Sequence, residues 1–205
     1  MHNNKQGLLI VFSGPSGSGK DTVLDELRAC MGDVQLSVSL TTREQRPGEQ
    51  DGLHYFFVTR EDFERRLANG EVLEHTQYNG QYYGTPKAAV DDWLAQGKTV
   101  ILKIEVEGAG SIRGIYPDCV SVFLLPPSVE TLRQRLRGRG SDDESSIERR
   151  VGIAKREIPH AFDYDYVILN DELERAVSDF RAVIHAERQR TSRRKYLIDE
   201  VIDHA

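Results

Sequence analysis

The stretch that decides the fold reads Gly14-Pro15-Ser16-Gly17-Ser18-Gly19-Lys20-Asp21-Thr22. It follows the apolar run Leu8-Leu9-Ile10-Val11-Phe12 and precedes apolar residues at helical spacing over 23–27. In a strand, glycine-rich turn and helix of this kind, backbone N–H groups and the helix N-terminus hold the phosphates of a nucleotide. Residues 14–22 therefore predict a P-loop, with Lys20 as the charge that faces the β- and γ-phosphates.

One position departs from the usual P-loop pattern. A Ser or Thr normally follows the lysine, but here Asp21 does, and the hydroxyl comes one residue later at Thr22. A carboxylate is a hard oxygen ligand that suits Mg²⁺. An acidic residue in the first turn also interacts favourably with the helix dipole. The sequence leaves both roles of Asp21 open.

The composition is that of one globular domain. The chain has 205 residues, 39% hydrophobic and 29% charged, which is enough for a single well-buried core. The apolar runs are too short to cross a bilayer and the N-terminus lacks signal-peptide features, so we expect a cytoplasmic protein without a membrane partner. A net charge of −6 argues against nucleic acid as a partner. Cys30 and Cys119 lack metal-ligand spacing and are expected to be reduced, partly buried thiols.

Strands and helices alternate over most of the chain. Residues 99–106 and 119–125 are apolar enough for central parallel strands, and residues 164–169 read as a last strand. Helical patterns separate these segments. The alternation predicts an α/β fold, a P-loop NTPase-type parallel β-sheet core flanked by helices on both faces.

Residues 37–90 interrupt the alternation and predict an inserted β-rich subdomain. A β-prone run covers 36–43, and Thr59 with Asp62 resembles a capping box. Asn79-Gly80 is a strong hairpin signal, and Thr85-Pro86 reads as the N-cap and first position of a helix. The expected boundaries are about 7–36 and 91–190 for the core, 37–90 for the insertion, 137–150 for a mobile lid (with a polar loop at 137–146) and 191–205 for a helical tail.

Several motifs in series resemble the guanylate kinase family, over about residues 7 to 190. The resemblance implies a nucleoside-monophosphate-binding insertion and the transfer of the γ-phosphoryl of ATP to GMP, with dGMP as another acceptor to test. The oligomeric state stays open. The motifs are Ser37-Val38-Ser39-Leu40-Thr41-Thr42-Arg43, Arg46-Pro47-Gly48-Glu49, Asp51-Gly52, His54-Tyr55-Phe56-Phe57, Tyr82-Tyr83-Gly84-Thr85-Pro86, Leu124-Leu125-Pro126-Pro127-Ser128, Arg135-Leu136-Arg137-Gly138-Arg139-Gly140 and Ile168-Leu169-Asn170-Asp171.

The resemblance also implies how GMP is bound. Glu74 and Thr85 would read the guanine, since a carboxylate can accept from N1–H and the 2-amino group and a hydroxyl can donate to O6. Arginines and hydroxyls match a dianionic phosphate in charge and donor geometry. The residues implied for the phosphate are Ser39, Arg43, Arg46, Tyr55 and Tyr83, and Glu105 is expected to contact the substrate as well.

For ATP, the resemblance implies binding by residues 14–22 and by Asn170, which would lie near the adenine. A turn or N-cap before the helix at 173–184 is the competing role of Asn170. Lys20 and Arg43 are implied in catalysis, together with lid arginines that neutralise the transferring phosphoryl group. These are Arg135, Arg139 and Arg150, whereas Arg133, Arg137 and Arg149 are interpreted as solvated helix charges.

The resemblance implies Mg²⁺ with ATP. The family commonly has acidic residues on the strand that here reads Lys103-Ile104-Glu105, so Lys103 is a second departure from its pattern. Asp21, Thr22 and Glu105 are the expected ligands.

Two other functions compete with this one. A kinase of another phosphorylated acceptor, such as a ribose bisphosphate, shares the P-loop and lid and can carry Asp after the lysine. A non-catalytic guanylate-kinase-like module would use the fold to bind protein partners. Glu74 and Thr85 favour GMP over the first, and Lys20 with the lid arginines argues against the second.

Overall fold

The computed structural model of the chain describes residues 7–78, 80–138 and 143–203. Its strands are β1 (Leu8–Ser13), β2 (Val34–Leu36), β3 (Leu40–Thr41), β4 (Phe56–Phe57), β5 (Val72–Tyr78), β6 (Gln81–Pro86), β7 (Thr99–Lys103), β8 (Val120–Leu125) and β9 (Tyr166–Leu169). Its helices are α1 (Lys20–Cys30), α2 (Arg60–Ala68), α3 (Lys87–Ala95), α4 (Val106–Ile115), α5 (Val129–Gly138), α6 (Glu144–Glu157), α7 (Leu173–Arg188) and α8 (Lys195–Asp203), with 3₁₀ turns at Ile158–Asp163 and Thr191–Arg193.

A five-stranded parallel sheet forms the core, in the order β2-β7-β1-β8-β9. The central strand β1 pairs with β7 on one side, where Leu8 lies opposite Thr99, and with β8 on the other, where Ile10 lies opposite Val120. The α/β class and the parallel sheet predicted from the sequence are confirmed.

Both faces of this sheet are covered. Leu8, Ile10 and Phe12 point to one face and pack with α1 and α7, whereas Leu9 and Val11 point to the other and pack with α3 and α4. Alternate residues of a strand face opposite sides, and an all-apolar strand is therefore stable only between two helical layers.

The insertion has its own four-stranded sheet, in the order β4-β3-β6-β5. The single β-prone run expected over 36–43 is divided: its first residue ends β2 in the core sheet, and β3 belongs to the insertion. The cap of α2 is confirmed, since the Thr59 hydroxyl accepts from the N–H of Asp62 at 3.1 Å. Gly80 has the positive φ expected of the hairpin turn, 76°, and Asn79 lies outside the described residues.

Two boundaries near the site differ from the prediction. The sequence predicts Thr85 as an N-cap, but Thr85 lies on β6, and α3 begins after Pro86 without a side-chain cap. The strand expected over 99–106 ends at Lys103, because Glu105 already occupies the N-cap position of α4.

The polar segment 137–146 is helical at both described ends. Helix α5 runs to Gly138, and α6 begins after Asp143, whose side chain accepts from the N–H of Ser146 at 2.7 Å. The predicted loop is thus shorter than expected, and residues 139–142 lie outside the described chain. Within the described ranges, no helix is long and apolar enough to span a membrane.

The helical tail is confirmed by α8, which leaves Val201 72% exposed.

Cys119 is partly buried as expected, whereas Cys30 is exposed; both are free thiols.

The small core of the insertion gives a first prediction. Phe63 is fully buried and stacks on Tyr82 with ring centroids 5.0 Å apart. We expect Phe63→Ala to lower the free energy of unfolding by about 3–5 kcal/mol, because a large cavity remains. Urea denaturation measures it, with Phe162→Ala as control, since Phe162 is 95% exposed and its truncation should cost less than about 0.5 kcal/mol. Equal effects of the two substitutions would contradict the prediction.

Candidate active site

The P-loop connects β1 to α1 in a backbone conformation that requires glycine. Gly17 and Gly19 have φ angles of 88° and 99°, a region that side chains with a Cβ rarely adopt. Gly19 precedes α1, and its residue type offers no side chain to cap the first turn. The N–H groups of this turn have no partner within the helix, so they form an anion-binding end.

The Lys20 side chain lies against the P-loop, where the ammonium contacts backbone carbonyl oxygens. Its ammonium donates to the carbonyl oxygens of Gly14 and, at 3.3 Å, of Pro15. Burial lowers the pKa of Lys20, and the carboxylates of Glu105 and Glu157 oppose this shift. A phosphate at the loop would supply further negative charge and favour the ammonium form.

The Ser18 carbonyl ties the P-loop to the rest of the core. It accepts from Asn170 Nδ2 at 2.7 Å and from Arg135 Nη1 at 3.2 Å, and Arg135 also donates to the Asn170 carbonyl at 2.8 Å. Glu172, not Asn170, precedes α7 at the N-cap position, so the capping alternative for Asn170 is wrong. Asn170 instead braces the loop, packed so closely that a Cβ on Gly19 would lie 2.4 Å from its Nδ2.

Two of the arginines predicted for the lid reach the same loop. Arg150 on α6 donates to the Ser16 hydroxyl at 2.6 Å, and Arg135 contacts Ser18 as described above. Arg139 lies outside the described residues. Arg133 pairs with Glu148 at 2.7 Å, and its side chain is 22% exposed, so this helix charge is less solvated than predicted.

Glu74 and Thr85 face each other on β5 and β6. The Thr85 hydroxyl donates to Glu74 Oε1 at 2.6 Å, and both residues are buried. Burial raises the pKa of Glu74, and the bond from Thr85 only partly opposes it. Gly108 on α4 makes room for this carboxylate, since a Cβ there would lie 2.6 Å from Glu74 Oε2. Sequence reasoning missed Gly108, because nothing local marks a glycine that is needed by a distant side chain.

Arginine and tyrosine side chains converge beside this pair. The Arg43 guanidinium lies 5.2 Å from the centre of the Tyr55 ring, which is in edge contact with Tyr83 at 5.9 Å. Glu49 binds Arg43 through two hydrogen bonds of 2.8 and 2.9 Å and accepts from the backbone N–H of Arg46 at 2.8 Å. The Arg43 guanidinium holds the pKa of Glu49 at about 2. Glu49 therefore connects Arg43 with the backbone of Arg46 and orders the loop that carries both residues.

The structure gives less information on the other two residues implied for the phosphate. Ser39 immediately precedes β3, and its carbonyl accepts from the N–H of Phe56 at 2.9 Å. The Arg46 side chain is exposed at the rim of the insertion. In the described part of the chain, the hydrogen bonds found for these two residues involve their backbones.

The two residues that depart from the family pattern contact each other. Asp21 Oδ1 lies 2.6 Å from Lys103 Nζ, across the ends of α1 and β7. Lys103 is in register with Phe12 of β1, so it stands next to the start of the P-loop. Sequence reasoning did not join them, because 82 residues separate the two positions.

A bound Mg²⁺ would depend on few protein ligands. Among the described residues, no cluster of three or more His, Cys, Asp or Glu side chains could hold a metal ion alone. Asp21, Thr22 and Glu105 nevertheless offer hard oxygen atoms near the helix N-terminus. This donor set fits Mg²⁺, which usually takes one or two carboxylates together with substrate phosphates and water.

A P-loop at the carboxyl edge of a parallel sheet defines the class, an α/β protein that binds a nucleoside triphosphate. Comparison with known proteins then places the chain more narrowly. The family model described as guanylate kinase matches residues 6–187. The chain belongs to the guanylate kinase family.

Proteins named guanylate kinase match this chain over nearly their whole length. The guanylate kinase of Symbiobacterium thermophilum is 50% identical over 94% of this chain and 92% of its own, and that of Carboxydothermus hydrogenoformans is 48% identical over 94% and 95%. Among solved structures, the guanylate kinase of Anaplasma phagocytophilum is 34% identical with a TM-score of 0.76, over 92% of this chain and 90% of its own.

The contact of Gly108 with Glu74 gives a second prediction. We expect Gly108→Ala to displace the Glu74 carboxylate and raise the KM for GMP by about ten- to a hundredfold, with the KM for ATP changed far less. Gly110→Ala is the matched control, because a Cβ at Gly110 of the same helix meets nothing within 4 Å. Steady-state kinetics with each substrate varied measure both constants. An unchanged KM for GMP in the Gly108 variant would show that Glu74 does not bind this acceptor.

Proposed function

We propose that this chain transfers the γ-phosphoryl group of ATP to GMP, giving ADP and GDP, through the residues described above. The observation that carries the proposal is the buried Glu74–Thr85 pair in the insertion of a P-loop protein. Relatives that are named guanylate kinase match the chain over almost their full length. The chain is accordingly an enzyme whose substrates are ATP and GMP.

The chemistry of the Glu74–Thr85 pair favours guanine. An ionised Glu74 accepts from the N1–H and the 2-amino group, two donors that adenine lacks on this edge. Thr85 can turn its hydroxyl from Glu74 to O6 of the base. A buried site built for these bonds rejects a base that leaves them unmade, since each unsatisfied buried group costs about 1–3 kcal/mol.

The phosphate of GMP would lie against Arg43, Arg46 and the hydroxyls of Tyr55 and Tyr83, with Ser39 beside them. Bidentate guanidinium contacts hold a phosphate in a fixed orientation. This orientation is what an in-line transfer requires of the attacking oxygen.

On the donor side, the P-loop amides and Lys20 would bind the β- and γ-phosphates, with Asn170 keeping the loop in shape. Arg135 and Arg150 reach the loop from α5 and α6, and Arg139 follows shortly after α5 in the sequence. These cations would stabilise the negative charge that spreads over the phosphoryl group during transfer.

Nucleotide kinases generally use Mg²⁺ with ATP, and the residues that would hold it here are Asp21, Thr22 and Glu105. When bound, Mg²⁺ neutralises charge on the β- and γ-phosphate oxygens. Asp21 would have to divide its carboxylate between this ion and Lys103. The cytoplasmic location and the domain boundaries also stay predictions.

The two competing functions are not favoured. A ribose bisphosphate offers hydroxyl groups but no planar edge that combines two N–H donors with an O6 acceptor, the arrangement that the Glu74–Thr85 pair matches. A non-catalytic module would have no use for Arg135 and Arg150 at the P-loop.

The test of the proposed function is ADP release in a coupled assay with GMP, dGMP, AMP and a ribose bisphosphate as acceptors. We expect GMP to be used far better than AMP or the sugar. Lys20→Ala should lower the rate by about a hundredfold or more, because Lys20 contacts the charge that develops in the transfer. Lys98→Ala is the control, since Lys98 precedes β7 at the opposite edge of the sheet. Equal use of the sugar, or full activity without Lys20, would contradict the proposal.

The raised pKa of Glu74 predicts a pH dependence. GMP needs the carboxylate form, so kcat/KM for GMP should fall as the pH is lowered through a pKa above the usual 4.5 of a glutamate. Glu74→Gln should reduce kcat/KM by about ten- to a hundredfold and remove this transition. The phosphate of GMP itself titrates near pH 6. Dividing the wild-type profile of kcat/KM against pH by that of Glu74→Gln cancels this contribution. Parallel profiles would exclude Glu74 as the group that titrates.

A further inference from the structure

We propose that Lys103 is a further phosphate-binding residue, whose ammonium bridges Asp21 on the P-loop helix and the phosphate of the acceptor nucleotide. The inference rests on the proposed function, in which GMP is the acceptor. It concerns a residue that departs from the family pattern and therefore receives no role from the resemblance.

The position of Lys103 follows from the sheet. It is the last residue of β7 and lies opposite Phe12, one residue before the end of β1. The chain continues from β1 into the P-loop and from β7 towards Glu105. A side chain at the carboxyl end of β7 consequently stands where the donor and acceptor parts of the site meet.

The groups that face Lys103 come from both parts of the site. Asp21 on α1 binds its ammonium at 2.6 Å. On the acceptor side, β7 pairs in parallel with β2, and the N–H of Ser37 donates to the Ile101 carbonyl at 3.0 Å. Ser39, which is implied for the acceptor phosphate, follows two residues after Ser37, just as Lys103 follows two residues after Ile101. Lys103 in turn acts on Lys20 in the P-loop. It is thus a cation between the two phosphate sites.

The charges on the acceptor side leave room for such a cation. A nucleotide monophosphate carries a charge of about −1.5 to −2 at neutral pH. Arg43 donates to Glu49 through two hydrogen bonds, and Lys103 donates to Asp21 through one, so each cation would share its donors between a carboxylate and the phosphate. Lys103 would add a third cation to Arg43 and Arg46.

Lys103 can serve this phosphate without leaving Asp21. An ammonium has three N–H donors, and Asp21 takes one of them in the hydrogen bonds found for the described residues. The side chain of Lys103 is 34% exposed, so the fold does not enclose it completely. Asp21 would fix the direction of the ammonium, and the phosphate would accept from it on the other side.

The experiment measures the affinity of the full chain for GMP by calorimetry, without ATP or metal. We expect Lys103→Met to weaken GMP binding by roughly ten- to a hundredfold, the usual effect of losing a hydrogen bond to a charged group. Lys103→Arg should stay within a few-fold of the wild type, since it keeps the charge. Lys98→Met, which removes the same charge from the opposite edge of the sheet, should bind GMP as the wild type does. Thermal unfolding checks that each variant is folded. If Lys103→Met does not fold, Lys103→Gln is measured in its place.

Two further measurements separate a direct contact from an indirect one. Guanosine, which lacks the phosphate, should bind the wild type and Lys103→Met with equal affinity when it is titrated alone; weaker guanosine binding in the variant would overturn the proposal. The double variant Asp21→Asn with Lys103→Met should bind GMP as weakly as the single Lys103 variant. Recovered affinity in the double variant would mean that Lys103 only screens Asp21, and the bridge would be wrong.

Failure of this inference is distinct from failure of the proposed function. Unchanged GMP affinity in Lys103→Met overturns the bridge while GMP remains the acceptor. A wild-type chain that neither binds GMP nor phosphorylates it overturns the proposed function, and the bridge with it.

Discussion

The parallel pairing of β1 with β7 and β8 is the constraint on which the site depends. Because parallel strands end at the same edge of a sheet, Phe12 lies beside Lys103 and Ser13 beside Phe123. The next strand, β9, ends where the N–H of Asn170 donates to the Leu125 carbonyl at 2.8 Å. Four distant parts of the chain thereby meet around one loop. These neighbours hold the P-loop in addition to its own turn, in which the N–H of Ser18 donates to the Pro15 carbonyl at 3.0 Å.

Charge balance at this edge explains features that the P-loop motif alone does not. The carboxylates of Glu105 and Glu157 act on Lys20 and support its charge against burial. Burial raises the pKa of Glu157, and the nearby Glu105 adds to the effect. One oxygen of Glu157 is buried without a hydrogen-bond partner among the described residues. Acidic groups thus surround the lysine at the place where phosphates would bring further negative charge, and a divalent cation between them would make this arrangement favourable.

The sequence correctly predicted features that depend on residues close together in the chain. It was wrong where the pairing of distant strands determines where an element begins or ends. The cap at Thr59 needs only Asp62, three residues away, and the core strands show in their apolar runs. Thr85-Pro86 has the local pattern of a helix start, yet β6 continues through Pro86 because Val72 of β5 pairs with it. The apolar neighbours of Glu105 predict a strand there, whereas Glu105 occupies the N-cap position of α4.

The site itself depends on contacts that no spacing reveals. Asn170 and Ser18 are 152 residues apart, and the family resemblance suggested for Asn170 a place near adenine, not the bond to the loop. Resemblance is least informative where the chain departs from the pattern, as at Asp21 and Lys103. Asp21 puts a negative charge where the family commonly has a neutral hydroxyl, and Lys103 puts a positive charge where it commonly has an acidic residue. Taken together they form a partly exposed ion pair, which contributes only about 0–1 kcal/mol to stability. The consequence of the pair is therefore positional: it holds a cation and a carboxylate in fixed places beside the P-loop, where α1 begins and β7 ends.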